Sequence, residues 1–236
     1  KAAPAASQPK IIVGMMVDQM RWDYLYRFQN RYTEGGFKRL LREGFSCENT
    51  LIDYSPTITA CGHTCVYTGS VPAVHGIVGN GWYERSIGKE IGCVDDESVN
   101  LVGSEKGGTG QSPHNNLATT ITDQLRIASN FQSKTVGVAI KDRASILPAG
   151  HAATGAFWYN GQDGNFVTST YYMKELPEWA KRFNDKKVVD TYYKNDWNTL
   201  YPINTYTLST ADDKSYEATA NGEDKPVFPR NLKQFI

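Results

Sequence analysis

The stretch SPTITACGHTCVYTG (residues 55–69) contains the turn and helix around which the chain is organised. Pro56 restricts the preceding residue to extended geometry, whereas the small residues from Ala60 onward suit a helix that ends at Gly69. This pattern predicts that Thr59 lies at or beside the helix N-terminus, where unpaired backbone N–H groups favour anions. Its hydroxyl could cap the helix, or it could act as a nucleophile if its pKa were lowered.

The sequence before this stretch predicts an α/β arrangement. The apolar run over residues 10–17 is typical of a buried parallel strand, and residues 31–43 and 45–52 are predicted as a helix and a second strand. Ligands of open α/β sheets bind beyond the carboxyl ends of the strands. Asp18, directly after the first strand, is therefore well placed for a metal, although it could equally cap a helix or pair with Arg21.

The sequence after this stretch supplies further groups that could bind an anion. The glycine-rich segment 71–80 ends at Asn80, whose amide could donate a hydrogen bond, although Asn is also common in turns. Residues 134–140 are predicted as a third core strand. It is followed by Lys141 and Arg143, which would share one side if the backbone stays extended. The same two cations could instead be a solvated pair around the aspartate between them.

The other segments complete the predicted α/β fold. Residues 116–130 have apolar side chains at helical spacing and are predicted as an amphipathic helix. Residues 155–159 and 166–173 are predicted as two strands that pair, and residues 177–183 as a short helix. Residues 82–114 show little periodicity, which predicts an irregular excursion at the edge of the sheet.

Composition and charge describe an ordinary globular chain and exclude several classes of protein. The 236 residues are 40% hydrophobic with a net charge of +0 and a pI near 7.1. This balance favours neither nucleic acid nor an acidic membrane surface as a partner, and no apolar run approaches the roughly 18 residues of a membrane span. We predict a disordered leader over residues 1–9, the N-terminal part of a catalytic domain over 10–175, and an irregular capping insertion over 176–236.

Residues 1–9 also bear on localisation. Their small, proline-containing sequence is typical of what remains after removal of a signal peptide, which predicts a periplasmic or secreted protein. A disordered tail or an expression artefact would have the same composition.

The cysteines form no CxxC pair, which argues against a zinc ribbon or a thioredoxin-type motif. Cys61 and Cys65 lie four residues apart, on one face of the predicted helix, where core packing is the default. A Cys47–Cys93 disulfide would be allowed in an exported protein, but nothing in the sequence supports it.

Four separated segments resemble the motifs of the alkaline phosphatase superfamily. They are VDQMRWD (17–23), PTITACGH (56–63), TGSVPAVHGIVGN (68–80) and KDR (141–143). Within the superfamily the set is most similar to the phosphate-irrepressible, threonine-dependent alkaline phosphatases, which are related to nucleotide pyrophosphatases/phosphodiesterases. The resemblance implies an α/β fold with a mostly parallel sheet flanked by helices. It also favours a nucleophilic threonine over a capping one.

The resemblance implies a phosphomonoesterase with two zinc ions and gives each candidate residue a role. Asp18 would ligate one zinc ion, and Thr59 would contact the metal and attack phosphorus to form a phosphothreonine. Zinc would make this attack accessible by lowering the pKa of the bound oxygen, and a zinc-bound hydroxide would hydrolyse the intermediate. Asn80, Lys141 and Arg143 would bind the non-bridging phosphoryl oxygens.

The two cations also predict which esters are preferred. A phosphomonoester has a charge of about −1.5 to −2 at pH 7, whereas a diester stays near −1. Each charge-assisted hydrogen bond contributes roughly 1.5–3 kcal/mol, so Lys141 and Arg143 favour the more highly charged monoester. The expected partners are therefore small phosphate esters and inorganic phosphate.

The zinc ligands are the point where this chain departs from the family pattern. A two-zinc site needs about six or seven protein ligands, and only Asp18 and Thr59 can be assigned. The four histidines form no cluster with an aspartate, and His63 and His75 are predicted to pack or form hydrogen bonds. The remaining ligands are expected after residue 236, so the isolated chain is expected to bind zinc weakly and to turn over poorly.

Three alternatives stay open at this stage. A phosphodiesterase or nucleotide pyrophosphatase of the same superfamily would share the fold. A sulfatase would need a Cys or Ser followed by a characteristic Pro and Arg, and neither Cys61 nor Cys65 has them. A non-catalytic anion-binding module would keep the affinity for phosphate without the chemistry.

Overall fold

The computed structural model describes residues 9–219 and 222–235 of the chain. They belong to two compact units, Lys1–Glu48 and Asn49–Ile236. The predicted leader lies outside the described residues except for its last position. In the described part of the chain, no helix has the length and apolar character that crossing a bilayer requires.

The first unit is built from short helices. Helix α1 spans Tyr24–Arg27, a 3₁₀ turn spans Gln29–Arg31, and helix α2 spans Phe37–Glu43. The helix predicted over residues 31–43 therefore begins later than expected. Two glycines precede Phe37, and glycine costs about 1 kcal/mol relative to alanine inside a helix.

The strands predicted over residues 10–17 and 45–52 are wrong. Neither segment forms a strand, and the Ile11 and Val13 side chains are 80% and 77% exposed. A strand needs a neighbour that binds its N–H and C=O groups, and no described residue pairs with either segment. Apolar composition without a partner was not sufficient to form a strand.

The second unit contains the sheets and the other helices of the described residues. Its helices are α3 (Thr59–Thr68), α4 (Pro72–His75), α5 (Ile121–Ala128), α6 (Asp142–Ala149), α7 (Glu178–Asn184) and α8 (Val188–Tyr193). Its strands are β1 (Gly81–Glu84), β2 (Lys89–Gly92), β3 (Asp95–Val102), β4 (Thr109–Gln111), β5 (Val136–Ala139), β6 (Gly155–Asn160) and β7 (Asn165–Ser169).

The larger sheet has the strand order β4-β3-β7-β6-β5, and β1 and β2 form a separate hairpin. Strands β5 and β6 are parallel, while the other neighbours in the sheet are antiparallel. The predicted α/β class is confirmed, with a sheet flanked by helices. The sheet of the described residues is mixed, so the expectation of a mostly parallel sheet is wrong, because short turns join β3 to β4 and β6 to β7 as antiparallel neighbours. The predicted pair of strands around residues 155–173 is also confirmed, as the antiparallel pair β6 and β7.

Strand β6 lies at the centre of the core because both of its faces are covered. Ala156 and Trp158 belong to a cluster with Ile146 of α6, whereas Phe157 packs with Ala180 of α7. This division follows the alternation of side chains along a strand. Helices α6 and α7 therefore cover opposite faces of the sheet, and the start of α6 follows the carboxyl end of β5.

The irregular excursion predicted over residues 82–114 is wrong, since this segment contains β1 to β4. Strand β3 shows why the sequence concealed them. Most of its side chains are exposed or half-buried, so the strand has no clear apolar alternation. Its backbone is satisfied by β4 on one side and β7 on the other.

The helix predicted over residues 116–130 is present but shorter. It begins after Thr120, whose hydroxyl accepts a hydrogen bond from the Asp123 N–H, while the Asp123 carboxylate accepts one from the Thr120 N–H. This reciprocal capping box sets the helix start.

The last part of the second unit is mostly irregular. It contains α8, the 3₁₀ turns Ile203–Thr205 and Leu232–Phe235, and an isolated bridge between Trp197 and Arg230. No strand longer than this bridge lies in the described part of residues 185–235. The division at residue 175 and the capping role of the insertion stay predictions.

Candidate functional site

Thr59 is the first residue of α3, as the sequence predicts. The preceding N-cap residue is Ile58 in extended geometry, and the helix ends at Gly69 with a left-handed φ of 65°. Because Ile58 occupies the N-cap position, the Thr59 hydroxyl is not the N-cap group. Thr59 instead lies among the first-turn N–H groups, at the positive end of the helix dipole.

Asn80 lies against this first turn. The Ala60 N–H donates a hydrogen bond to the Asn80 Oδ1 at 3.0 Å, and the Cys93 N–H donates to the Asn80 backbone oxygen at 3.0 Å. The residue itself is exposed. The structure therefore brings Asn80 beside the start of the helix that begins with Thr59.

Lys141 and Arg143 lie at the start of α6, after β5. The strand predicted over residues 134–140 is confirmed as β5, but its predicted core position is wrong, because β5 is the last strand in the order of the described sheet and Val136 and Val138 are exposed. Lys141 is the exposed N-cap residue, and the helix begins at Asp142. The predicted placement of both cations on one side required extended backbone, and this condition is not met, because helical geometry begins between them at Asp142. The Asp142 carboxylate also accepts the Arg143 N–H at 2.6 Å.

The Arg143 guanidinium is partly withdrawn from solvent. Its Nη1 lies 3.6 Å from Oδ1 of Asp142, and its side chain is 27% exposed. Its Nε is buried without a hydrogen-bond partner, which leaves a donor in need of an acceptor. Arg143 is therefore not a fully solvated cation, which was the alternative interpretation of this segment.

Cys93 is a buried thiol next to Asn80. Burial raises the pKa of the Cys93 thiol to about 12, and the charges of Asp142 and Arg143 act on it in opposite directions. The Asn80 side chain accepts the Ala60 N–H and its backbone oxygen accepts the Cys93 N–H, so Asn80 joins the first turn of α3 to Cys93. Helices α3 and α6 pack against each other.

Cys93 was expected only as a possible disulfide partner, whereas the structure has a buried free thiol there. Asp142 was expected only as a charge between two cations, and it is the first residue of α6. No local signal marks Cys93, because its backbone hydrogen bond to Asn80 joins two separate segments.

The motif histidines are packing and hydrogen-bonding residues, as predicted. His63 is 3% exposed and its Nδ1 donates to the Thr59 carbonyl oxygen at 2.8 Å. His75 is 0% exposed and accepts the Ile77 N–H at Nδ1, so its Nε2 bears the proton and faces the Cys65 sulfur at 3.2 Å. Burial lowers the pKa of His75, which keeps the ring neutral.

Asp18 lies in the first unit, at an exposed turn. Its Oδ1 accepts the Gln19 N–H at 3.1 Å. Among residues 9–219 and 222–235, no group of three or more His, Cys, Asp or Glu side chains could hold a metal ion. Zinc normally takes four ligands, so the two predicted donors, Asp18 and Thr59, do not make a complete zinc site.

The fold and the motif geometry are those of a known family. The chain matches the type I phosphodiesterase / nucleotide pyrophosphatase family over residues 12–228, and it belongs to this family.

Curated relatives of this chain have two kinds of name. It is 60% identical over 231 residues to a calcium-transporting ATPase of Myroides odoratus, with 98% of this chain and 42% of that protein covered. It is 56% identical over 229 residues to the alkaline phosphatase PhoV of Synechococcus elongatus, with 97% and 42% covered. The chain thus spans less than half the length of these relatives.

Solved structures include the alkaline phosphatase PafA. The wild-type crystal structure superimposes with a TM-score of 0.92 at 53% identity, covering 98% of this chain and 45% of that one. A second structure, of a PafA variant, has a TM-score of 0.91 at 52% identity and covers 96% of this chain and 44% of that one. In that variant one threonine is replaced by serine, and an asparagine, a lysine and an arginine by alanine.

Proposed function

We propose that the protein is a zinc-dependent phosphomonoester hydrolase, an alkaline phosphatase, that acts through a phosphothreonine at Thr59. The observation that supports this most is that Asn80 binds the first turn of α3, the helix that begins with Thr59, and that α3 packs against α6, whose first turn contains Arg143. Helix N-termini are anion-binding elements, and these two bear a threonine and a cation. The alkaline phosphatase names of similar proteins agree with this proposal.

The substituted PafA variant gives separate support for the residues. It replaces a threonine, an asparagine, a lysine and an arginine, the residue types of Thr59, Asn80, Lys141 and Arg143 in the same order. The spacing between the first two and between the last two is the same in both chains. We therefore assign these four residues to the site.

In the proposed reaction, the Asn80 amide, Lys141 and Arg143 hold the phosphoryl oxygens and reduce their negative charge in the transition state. The Thr59 oxygen attacks phosphorus, and the bond to the ester oxygen breaks. The alcohol leaves with the electron pair of that bond and takes up a proton, which balances the proton lost from the Thr59 hydroxyl. Water then attacks the phosphothreonine, releases phosphate and restores the Thr59 hydroxyl.

Zinc is part of the proposal, although the donors among the described residues are too few for a complete site. Asp18 and Thr59 would supply part of the ligand set, and the other ligands are expected outside residues 1–236. Phosphate release is measured with saturating zinc from residues 1–236 and from the natural protein. We expect weak turnover from the chain and efficient turnover from the natural protein. Robust activity of residues 1–236 alone would contradict the division of ligands.

The decisive assay compares an aryl phosphate with its methyl diester. A monoesterase prefers the aryl phosphate, and mass spectrometry of the quenched reaction finds phosphate on the peptide that contains Thr59. Preference for the diester would instead identify a phosphodiesterase or nucleotide pyrophosphatase of the same family. Phosphate or vanadate binding without turnover in the natural protein would identify a non-catalytic module.

The ATPase name of the Myroides relative is compatible with this proposal. The terminal phosphoryl group of ATP is highly charged and has one bridging oxygen, so a monoester site could release it by the same displacement. Transport is not part of the proposal. Hydrolysis of both ATP and an aryl phosphate, with loss of both in Thr59→Ala, is the expected result.

We further propose that the protein is exported to the periplasm or the medium, on the composition of residues 1–9. Cell fractionation of the source organism tests this directly. Recovery of the protein only with cytoplasmic markers would contradict it.

A further inference from the structure

Helix α3 is not capped by the side chain of its own N-cap residue. Its N-cap residue is Ile58, whose side chain has no acceptor, and no side-chain capping bond is made there. N-cap positions strongly prefer Ser, Thr, Asp or Asn, which bind the N–H groups of the first turn. In α3 the Ala60 N–H instead donates to the Asn80 side chain at 3.0 Å, from a residue 20 positions later.

This contact also sets the orientation of the Asn80 amide. An amide has one acceptor end and one donor end, and the atom that faces a backbone N–H must be the oxygen. The NH₂ end of Asn80 therefore points away from the Ala60 N–H. It is the end that remains to donate to an anionic ligand.

Two further side-chain contacts join α3 to the segment that leads to Asn80. Cys65 contacts His75 at 3.2 Å and the Cys61 thiol donates to the Ile77 carbonyl oxygen at 3.3 Å. The segment therefore runs antiparallel to α3, from the middle of the helix towards its N-terminus. Asn80 reaches the first turn because the two earlier contacts set the register.

The backbone of Asn80 is also fixed by contacts. Its carbonyl oxygen accepts the Cys93 N–H at 3.0 Å. A Cβ added at Gly79 would lie 2.8 Å from the Gly81 oxygen, and one added at Gly81 would lie 2.8 Å from the Ile91 oxygen. The exposed Asn80 side chain therefore projects from a closely packed stretch of backbone.

We propose that Asn80 is a positioning residue as well as a ligand-binding one. Its side chain supplies the capping acceptor for the helix that begins with Thr59. Its oxygen orders the first turn of α3, and the same bond aims its NH₂ group at the phosphoryl oxygen. Nucleophile and anion donor are thereby held as one unit. This inference rests on the proposed phosphatase function.

The test supplies a new capping acceptor at the start of α3 without restoring the NH₂ donor of Asn80. Asn80→Ala removes both functions, and Ile58→Ser in that background supplies a hydroxyl at the N-cap position, within reach of the first-turn N–H groups. Ile58 is 37% exposed, so its replacement disturbs little of the core. Ile58→Ala with Asn80→Ala is the matched control, because it removes the same side chain without adding an acceptor.

All variants are made in the natural protein, and kcat, KM and hydrogen exchange of the first turn of α3 are measured. We expect Ile58→Ser to raise the kcat of Asn80→Ala by about 2- to 30-fold, the range of one helix cap, and to restore exchange protection. The matched control gains neither. KM stays elevated, because the amide donor is still missing.

Asn80→Asp separates capping of α3 from donation to the ligand in the opposite way. It keeps an oxygen acceptor that suits a helix N-terminus but loses the NH₂ donor. We expect exchange protection of the first turn like that of the wild type, together with a large fall in kcat/KM.

Two results would overturn the inference alone: unchanged protection of the first turn in Asn80→Ala, or restored protection in Ile58→Ser without any gain in kcat. Thr59→Ala is assayed in parallel. Full phosphatase activity in Thr59→Ala would overturn the proposed function itself, so the two failures are distinguishable.

Discussion

The first unit and the part of the second unit around helices α3 and α6 both contain many apolar residues. Only the part around α3 and α6 has a buried core. None of residues 9–48 is buried, whereas Ala60 of α3 and Ile146 and Leu147 of α6 are fully buried. The α3–α6 region also contains defined contacts between residues distant in sequence, such as that of Ala60 with Asn80.

The difference shows what each region contributes to the proposed site. The second unit has a rigid scaffold that holds Thr59, Asn80 and Arg143 by packing and hydrogen bonds. The first unit presents Asp18 on an exposed turn. A substitution there is therefore expected to change the activity without changing the stability. The five predictions that follow test this contrast.

The largest effect is expected at Thr59. Loss of a covalent nucleophile commonly costs several orders of magnitude, so Thr59→Ala should lower kcat by about 10⁴-fold or more. Circular dichroism and thermal unfolding should stay close to those of the wild type. Activity within tenfold of the wild type would break the contrast, because the rigid region would then not contain the nucleophile.

Asp18→Asn should lower phosphatase activity by about 100-fold while leaving the melting temperature unchanged. Mutation of groups that only support metal ligands typically lowers metal affinity or activity 10–100-fold, and loss of a direct ligand should lower it at least as much. Glu34→Gln is the control in the same unit, since it removes a carboxylate of an exposed ion pair with Lys38. Equal effects of the two substitutions would argue against a metal role for Asp18.

Arg143→Ala and Lys141→Ala should each lower kcat/KM for an aryl phosphate by about 10- to 100-fold, from roughly 1.5–3 kcal/mol per charge-assisted bond. The methyl diester should lose less, because it has less charge to bind. Lys134→Ala removes a lysine before β5 and should behave like the wild type. Equal losses for both esters would remove the basis for monoester preference.

Gly150→Ala should destabilise the second unit by about 1–3 kcal/mol, because its φ is +80° and a Cβ would lie against the Thr120 hydroxyl and 2.5 Å from Asp123 Oδ1. Gly107→Ala is the matched control, with a φ of +66° but no atom within 4 Å of the added Cβ. Thermal unfolding should show a clearly larger loss at Gly150. Equal losses would mean that backbone strain alone, and not the buried capping box, decides the result.

The smallest effect is expected from His151 as a function of pH. The hydrogen bond to Asp123 raises the pKa of His151 against the opposing effect of burial. Its stabilisation is therefore complete below the unfolded pKa of about 6.5 and is lost as the pH rises through the folded pKa. The melting temperature of the wild type should fall across that window by about 2–4 °C more than that of His151→Gln, for an effect of ~1 kcal/mol. Parallel pH profiles would show that this pair contributes nothing to stability.

Local chemistry explains which features could be predicted. The start of α3 at Thr59 and its end at Gly69 depend on proline, small residues and glycine within a few positions, and both are confirmed. The pair β6 and β7 and the edge strand β5 were likewise visible as short apolar segments. The same signals failed for residues 10–17, since an apolar run forms a strand only where another strand is present to bind it.

The sequence by itself therefore determined the family and the α/β class, and it supplied the residue types of the proposed site. Only the tertiary structure decided that Asn80 binds the first turn of α3 and that α3 packs against α6. These features depend on contacts between segments separated by tens of residues. Such contacts form only when the sheet and helices pack, so no local pattern specifies them.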